Sequence, residues 1–307
     1  MLKSYVSIGT KPLERLRELY TLYQWHNQNV IKRAEQNIQN LKPVKEWIEQ
    51  RLGRNLKNQK ILEIGPGQML SQYYFFAYEN EVIGLDTDMI ITEFELPMYW
   101  KMLRRNGFIR TVKTMGRNLL GFDQSYRRAM AEKLGVKQLP LPQIINDDIA
   151  QVVLPDNCFD CVVSFSVFEH LVEPEAALNK IARLLKPGGV GYICIDLYTS
   201  DSGCHDPRIF SGNRGTLPYW CHLRPQYEHL VQPNAYVNKI SLSEWKELFN
   251  RLWAGWEFLP FGIEDADNQQ KLKQIRESGE LAEYTDEELL TKAFAAIWIK
   301  PNSPANS

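Results

Sequence analysis

Apolar residues recur at two different spacings along the chain, and the change from one spacing to the other marks the elements. Over residues 11–52 they return every three or four positions, as in amphipathic helices, and Pro43 predicts a break between two helices. Short apolar runs bounded by turn residues predict β-strands further along. The predicted strands are Lys60–Ile64, Glu81–Leu85, Gln143–Asn146, Phe159–Phe165, Gly191–Leu197, Trp256–Ile263 and Ala293–Ile299.

Helical patterns separate these strands. Met69–Tyr78 follows the first strand as a helix, and an apolar stripe predicts a second helix over Pro174–Leu185. Ser241-x-x-Glu244 and Thr285-x-x-Glu288 have the form of capping boxes, so helices are expected to begin there. Strands that alternate with helices predict an α/β fold with a seven-stranded, mostly parallel sheet and helices on both faces.

Two segments interrupt the alternation. Residues 88–141 contain helical patterns with expected breaks at Gly107 and Gly116, and residues 199–240 are rich in Gly, Pro, Ser and Asn. Long irregular segments of the second kind are typically functional loops. We predict an N-terminal helical cap over 1–55, a main domain over 56–300 that contains both segments, and a loose tail over 301–307. The N-terminal helices and the 88–141 insertion are expected to form the cap.

The most informative motif is a glycine-rich turn between a strand and a helix. Gly65 and Gly67 lack a Cβ atom, so backbone N–H groups can approach a ligand closely. Asp86 ends the next strand, where a carboxylate can accept hydrogen bonds from ribose hydroxyls. Asp148 and Ile149 follow the third strand, and a carboxylate beside a backbone N–H can bind the edge of an adenine ring. Together these residues predict a nucleotide-like cofactor.

Four short motifs then occur in a fixed order along the chain. They are Glu-Ile-Gly-Pro-Gly over 63–67, Pro-Asp-Asn-x-Phe-Asp over 155–160, Glu-His-Leu over 169–171 and Leu-Lys-Pro-Gly-Gly over 185–189. With Asp86, this order resembles the class I S-adenosylmethionine-dependent methyltransferases, which have a Rossmann-like fold. The closest subgroup is the small-molecule enzymes that include the ubiquinone and menaquinone methylases. The resemblance covers residues 60–90 and 142–197.

The resemblance implies S-adenosylmethionine as cofactor and gives roles to particular positions. It places Glu63 near the methionine amine, Gly65 and Gly67 in the cofactor loop, Asp86 on the ribose, Asp148 and the Ile149 backbone on the adenine, and Ser164 under the sulfonium. Many members carry a small residue where this chain has Met69. A nicotinamide dehydrogenase is a weaker alternative, because its fingerprint requires a third glycine where this chain has Leu70.

Candidate catalytic residues cluster downstream of the fourth strand. Methyl transfer is an in-line displacement, and an oxygen acceptor with a high pKa needs a general base. His170, His205 and His222 are the candidate bases, with nearby carboxylates and phenols as alternatives. We therefore predict O-methylation of a small-molecule acceptor, a specialised metabolite or a sugar. A protein or RNA acceptor, or a non-catalytic S-adenosylmethionine-binding protein, are the alternatives.

No metal site is predicted. Cys204-His205 and Cys221-His222 offer two thiols and two imidazoles, but adjacent ligands converge poorly and neither pair matches common zinc-finger spacing. Cys158, Cys161 and Cys194 lie in apolar strand-like segments and are expected to be buried thiols. This cysteine usage favours a reducing cytoplasm over a secreted, disulfide-bonded protein.

Charge is distributed unevenly along the chain. The formal net charge is -1, which argues against a polyanion-binding protein, and no nucleic-acid-binding motif accompanies it. Residues 97–141, however, carry ten basic residues opposed only by Asp123 and Glu132. A solvated helix face is the simplest interpretation, and a docking surface for an anionic acceptor or an acidic carrier protein is the functional one. No membrane association is expected, because no apolar run approaches the length of a membrane span and the start has no signal-peptide pattern.

Overall fold

The computed structural model describes residues 12–210 and 213–302, with side chains described for 28–108, 110–209 and 213–302. The chain divides into two compact units. Of the described residues, the N-terminal unit contains 12–163 and 183–190, and the C-terminal unit contains 164–182, 191–210 and 213–300. His26 and the apolar positions of residues 12–27 lie outside the described side chains.

A seven-stranded sheet with the order β3-β2-β1-β4-β5-β7-β6 forms the framework. Strands β1, β2 and β3 pair in parallel, whereas β6 and β7 are antiparallel. This arrangement confirms the predicted α/β, mostly parallel fold. The strands are β1 Lys60–Ile64, β2 Glu81–Leu85, β3 Gln143–Ile145, β4 Phe159–Phe165, β5 Leu185–Asp196, β6 Glu257–Ile263 and β7 Thr291–Ile299.

Helices connect the strands within each unit. The N-terminal unit contains α1 Pro12–Leu52, α2 Ser71–Ala77, α3 Leu96–Asn106, α4 Phe108–Leu119 and α5 Phe122–Lys133. The C-terminal unit contains α6 Pro174–Leu184 except for its last two residues, α7 Pro207–Phe210, α8 Leu242–Leu252, α9 Ala266–Glu277 and α10 Asp286–Leu290. Within the described residues, none of these helices is both long and apolar enough to cross a lipid bilayer.

The predicted break at Pro43 is wrong, because α1 is one helix that continues through this proline. Proline removes one backbone hydrogen bond and usually kinks or ends a helix. Here an uninterrupted buried stripe runs along the helix on both sides of the proline and packs against α2 and α5. Tertiary packing of this stripe offsets the local cost. The stripe consists of Ala34, Ile38, Leu41, Val44 and Ile48.

The insertion over residues 88–141 folds as α3, α4 and α5. The break at Gly107 is confirmed, with a φ of 81°, but Gly116 lies inside α4 and the second break falls at Gly121, with a φ of 71°. Asn118 explains why α4 continues past Gly116. Its buried amide donates to the Ile91 carbonyl at 3.0 Å and to the Tyr99 hydroxyl at 2.8 Å. These bonds tie the last turn of α4 to the segment after β2.

Replacing Asn118 by alanine is expected to lower the free energy of unfolding by about 2 kcal/mol, because the substitution leaves a buried carbonyl and a buried hydroxyl without a donor. Urea denaturation of the purified protein measures this loss. Lys113→Ala in the same helix is the matched control, since Lys113 is exposed and its removal should change stability by less than about 0.5 kcal/mol. Equal stability of the two variants would contradict the anchoring role of Asn118.

The C-terminal unit confirms both capping boxes, at Ser241 for α8 and at Thr285 for α10. Helix α9 was not predicted, because only Leu272 and Ile275 are buried in an otherwise polar sequence. Several boundaries also differ from the prediction, most of them by one or two residues. Helix α2 begins at Ser71 instead of Met69, since Leu70 adopts a left-handed conformation with a φ of 53°, and β5 begins at Leu185, before the predicted Gly191.

Residues 199–240 are largely irregular, as predicted, but they form part of the interior of the C-terminal unit. They contain α7 and 3₁₀ turns over Cys221–Leu223 and Glu228–Leu230. Trp220 is fully buried and donates through its indole N–H to the Thr199 carbonyl at 3.1 Å. Buried polar groups on this segment are tied to its own backbone, so the segment is held in a defined conformation.

Candidate active site

The glycine turn of the N-terminal unit follows β1 directly. Gly65 and Gly67 have φ values of 67° and 64°, in the left-handed region that glycine adopts without strain. The Gly65 N–H donates to the Leu85 carbonyl at 2.8 Å, which holds the turn against the end of β2. A Cβ atom at Gly67 would meet no atom within 4 Å, so this side of the turn is open to a ligand.

Glu63 lies beneath the turn and is 1% exposed. Its Oε2 atom has no hydrogen-bond partner among the described residues. Burial, followed by the neighbouring charge of Asp86, raises the pKa of the Glu63 carboxyl to about 8. A buried carboxylate oxygen without a partner is costly, and a cationic ligand group would remove that cost. The residues present therefore fit a cofactor that brings an ammonium group to this position.

Asp86 follows β2 at the adjacent strand end. Its Oδ1 accepts the Asp88 N–H at 2.8 Å, and the Gly67 N–H faces the same carboxylate and favours its charged form. Burial raises the pKa of Asp86 against these hydrogen bonds. The backbone thus orients the carboxylate at the end of the strand, where a pair of ribose hydroxyls can donate to it.

Asn146 is a site residue that sequence reasoning missed. Its side-chain amide donates to the carbonyls of Asp86 and Thr87, both at 2.9 Å, and so fixes the backbone that carries the Asp86 carboxylate. The only sequence signal was an amide residue directly after the third strand. Asp148, predicted to bind adenine, uses its Oδ1 to accept the Ala150 N–H at 2.8 Å, and Ile149 is buried beside it. The Asp148 carboxylate therefore stabilises the turn that contains the Ile149 backbone.

Arg117 of the basic insertion was also missed. Its guanidinium donates to the Gln68 carbonyl at 3.3 Å and to Gln68 Oε1 at 3.1 Å, and it pairs with Asp123 at 2.8 Å. Helix α4 is therefore joined to the glycine turn by a charged hydrogen-bond network. Arg110 pairs with Asp88 at 2.6 Å in the same unit. Arg110 and Arg117 therefore do more than form part of a solvated helix face, since each pairs with a carboxylate of the same unit.

The C-terminal unit brings together two of the three predicted catalytic histidines. Glu169 and His170 lie on the 3₁₀ turn Phe168–His170 that follows β4, and the rings of His170 and His205 are 4.8 Å apart between centroids in an edge-to-face arrangement. Burial and the neighbouring His170 lower the pKa of His205 to about 4, so its imidazole is neutral near pH 7. Sequence reasoning noted Glu169 only as part of a motif.

His222 occupies a separate environment in this unit. Its Nε2 lies 2.7 Å from the Tyr198 carbonyl, and because a carbonyl can only accept, the Nε2 atom carries the proton. The ring also packs edge-on against the Tyr198 ring, with 4.9 Å between centroids. These contacts assign His222 a structural role, which is to hold Tyr198 in place. Ser164 is fully buried in β4, and its role under the sulfonium stays a prediction.

A polar cavity of about 590 Å³ adjoins His205. That volume lies within the range of small-molecule sites. The side chain of Arg214 lies over the ring of Tyr219 at 4.0 Å and pairs with Asp201, which gives one wall a fixed shape. The cavity is lined by Asp196, Ser200, Asp201, Ser202, Gly203, His205, Ile209, Arg214, Tyr219, Glu264, Asp265, Asp267, Asn268 and Lys292.

Sequence comparisons show similarity to methyltransferases. Residues 105–193 match the model of a family described as a methyltransferase domain. An uncharacterized methyltransferase of Schizosaccharomyces pombe is 27% identical over 186 residues, which are 59% of this chain and 50% of that protein. An arsenite methyltransferase of Aquipseudomonas alcaligenes is 27% identical over 111 residues, 35% of this chain and 31% of that protein. The chain thus spans half or less of these relatives.

Solved structures with a similar fold include a SAM-dependent methyltransferase from Archaeoglobus fulgidus. It is 15% identical, with a TM-score of 0.43, over 84% of this chain and 94% of that one. Phosphoethanolamine N-methyltransferase 2 of Haemonchus contortus, solved with S-adenosyl-L-methionine, is 14% identical, with a TM-score of 0.42, over 85% of this chain and 53% of that one.

The family match, the sheet and the glycine turn define the class of the protein. The chain carries a class I, Rossmann-like methyltransferase domain, the class whose cofactor is S-adenosylmethionine. The resemblance expected from the Glu-Ile-Gly-Pro-Gly motif is confirmed at this level. Its finer assignment to the ubiquinone and menaquinone methylase subgroup stays a prediction.

Proposed function

We propose that the protein transfers the methyl group of S-adenosylmethionine to an oxygen atom of a polar small-molecule acceptor. The observation that supports this most directly is the buried Glu63 carboxylate beneath an open glycine turn, whose Oε2 atom has no hydrogen-bond partner among the described residues. In this proposal Glu63 receives the methionine ammonium, Asp86 the ribose hydroxyls, and Asp148 with the Ile149 backbone the adenine. The bound cofactor supplies an electrophilic methyl group on a sulfonium.

The acceptor proposal rests on the chemistry of the C-terminal unit. The polar cavity is lined mainly by carboxylate, hydroxyl and amide side chains, with His205 and Asp196 among them. Such a lining favours an acceptor with several hydroxyl groups, as in a sugar or a glycosylated specialised metabolite, over an apolar ring system. His205 and the neighbouring His170 are the proposed groups that assist removal of the acceptor proton.

The test is methyl transfer from S-adenosylmethionine with an isotopically labelled methyl group to pools of hydroxylated small molecules. Mass spectrometry detects the labelled product, and its methyl NMR shift distinguishes attachment to oxygen, nitrogen or carbon. We expect an O-methyl product with the wild type and far less of it with Asp86→Ala at the same subsaturating cofactor concentration. A product methylated on nitrogen or carbon would overturn the O-methylation proposal, and absence of S-adenosylhomocysteine binding would overturn the cofactor assignment.

An acceptor delivered by an acidic carrier protein is a second candidate, supported by one surface of the insertion. Trp100 and Phe108 are 59% and 71% exposed, and the basic residues Lys101 and Lys113 are exposed on the same two helices, α3 and α4. Exposed aromatic residues among basic ones are typical of protein-binding surfaces. Slower turnover of a carrier-bound acceptor by Trp100→Glu, with unchanged turnover of the free acceptor, would support this candidate.

A further inference from the structure

Glu169, His170 and His205 meet in one small volume of the C-terminal unit. One ligand-type atom from each residue lies within 4.8 Å of the other two. His170 Nε2 is 3.9 Å from Glu169 Oε1. A carboxylate oxygen and two imidazole nitrogens in this relation form a common set of ligands for transition metals.

Glu169 supplies an independent indication that a ligand is expected here. It is 1% exposed, and neither Oε1 nor Oε2 has a hydrogen-bond partner of normal geometry in the described part of the chain. The N–H groups of Glu169 and Asp196 only face the carboxylate. Buried carboxylates are normally paired or bound to a cation, because an isolated one is very costly. Asp196, a second buried carboxylate, adds to the negative charge near Glu169.

The orientation of His170 suits metal binding. Its Nδ1 lies 2.5 Å from the Tyr236 carbonyl, which can only accept, so Nδ1 carries the proton and Nε2 carries the lone pair. Metal-binding histidines are usually fixed in this way by a second hydrogen bond to a carbonyl or carboxylate. The turn itself is held by Asn238, whose N–H donates to the Glu169 carbonyl at 2.8 Å and whose amide donates to the Phe168 carbonyl at 2.8 Å.

We propose that Glu169, His170 and His205 bind one divalent first-row transition-metal ion. Ligand atoms around such an ion are about 3.4 Å apart, given metal–ligand distances of about 2.1 Å and tetrahedral geometry. Side-chain rotations that bring the ligand atoms roughly 1 Å closer to one another would therefore complete the site. Nitrogen ligands disfavour Mg²⁺ and Ca²⁺, which bind through oxygen. Three protein ligands leave at least one coordination position open.

The open position gives the ion a role toward the acceptor, and this part rests on the proposed function. His205 is a member of the cluster, and Asp196 lies near Glu169. Both residues also line the polar cavity. A metal ion held by His205 can bind an acceptor hydroxyl and lower its pKa, so that its proton passes to the Asp196 carboxylate of the cavity. The oxygen then forms a bond to the methyl carbon of the cofactor as the bond from that carbon to sulfur breaks, and S-adenosylhomocysteine leaves. In this arrangement His170 and His205 act as ligands, and acidification of the hydroxyl by the ion replaces their direct assistance in removing the proton.

The experiment is a Co²⁺ titration of the chelator-treated full-length protein without a histidine tag, followed by visible absorption and by calorimetry. We expect one equivalent to bind with a d–d absorption band, and Zn²⁺ to displace it. Glu169→Gln and His205→Asn should each weaken binding by at least about 100-fold. His229→Asn is the matched control, because His229 is exposed and lies on a different 3₁₀ turn.

Failure of the wild type to bind Co²⁺ or Zn²⁺ with one-to-one stoichiometry would overturn the inference, whatever the variants do. Equal binding by the wild type and Glu169→Gln would also overturn it. S-adenosylhomocysteine titration of the same samples separates the two proposals. Cofactor binding without metal binding contradicts only the metal site, whereas metal binding without cofactor binding contradicts only the proposed methyl transfer.

Discussion

Replacing Asp86 by alanine is expected to weaken S-adenosylhomocysteine binding by about 100-fold, which corresponds to about 2.7 kcal/mol. Hydrogen bonds from ribose hydroxyls to a carboxylate are charge-assisted, and one such bond contributes about 1.5–3 kcal/mol. The Asp86 carboxylate is already oriented by the Asp88 N–H, so little ordering is needed on binding. Isothermal titration calorimetry of the wild type and the variant measures the difference directly.

The matched control is Asp156→Ala in the same unit. Asp156 is an exposed surface carboxylate that pairs with Arg183 at 3.2 Å, so its loss should leave cofactor affinity unchanged. Undiminished affinity in a correctly folded Asp86→Ala protein would mean that the ribose is held elsewhere. Binding of NADH in place of S-adenosylhomocysteine would favour the dehydrogenase alternative instead.

Replacing Glu63 by glutamine is expected to stabilise the ligand-free protein at high pH and to weaken cofactor binding. The folded-state pKa of Glu63 is raised to about 8 from an ordinary value of 4.5, first by burial and then by Asp86. Between these two values the folded chain holds a proton that the unfolded chain releases. The free energy of unfolding of the wild type therefore falls as the pH rises through this window, by about 4 kcal/mol at its end.

Glutamine resembles the protonated carboxyl and removes this pH dependence. Denaturation of both proteins at pH 5 and pH 9 should show similar stability at pH 5 and a more stable variant at pH 9. S-adenosylhomocysteine affinity should fall by about 10–100-fold, because the ammonium loses its buried counter-charge. Glu81→Gln on the adjacent strand is the control, since Glu81 is exposed and pairs only at the surface with Lys60. The same pH dependence in Glu63→Gln as in the wild type would contradict the raised pKa.

The two histidine environments show why proximity in sequence is a poor guide to the acceptor side. His205 adjoins Cys204 in sequence, and His222 adjoins Cys221, which suggested a possible Cys–His zinc pair. In the structure the Cys204 and Cys221 thiols contact each other, whereas His205 faces His170 and Glu169. The backbone of His205 is left-handed, with a φ of 55°, a conformation that tertiary contacts must hold in place.

Local patterns determined much of the framework by themselves. The bounds of β1, β2 and β4 follow from short apolar runs, and the starts of α8 and α10 follow from capping boxes, because these signals depend on neighbouring residues only. Local patterns also identified four candidate cofactor residues, because these lie at or beside strand ends. They are Glu63, Gly65, Gly67 and Asp86. Their order along the chain was enough to predict the class I methyltransferase domain.

Only the tertiary structure decided the features that depend on distant partners. Pro43 sits inside a helix because a buried stripe outweighs its local cost, and α4 passes Gly116 because Asn118 is bonded to Ile91 and Tyr99. The contacts of Arg117 with Gln68 and the meeting of Glu169 with His205 join residues far apart in sequence. Local sequence patterns cannot predict such contacts, because they form only when packing brings strand ends, loops and helices together.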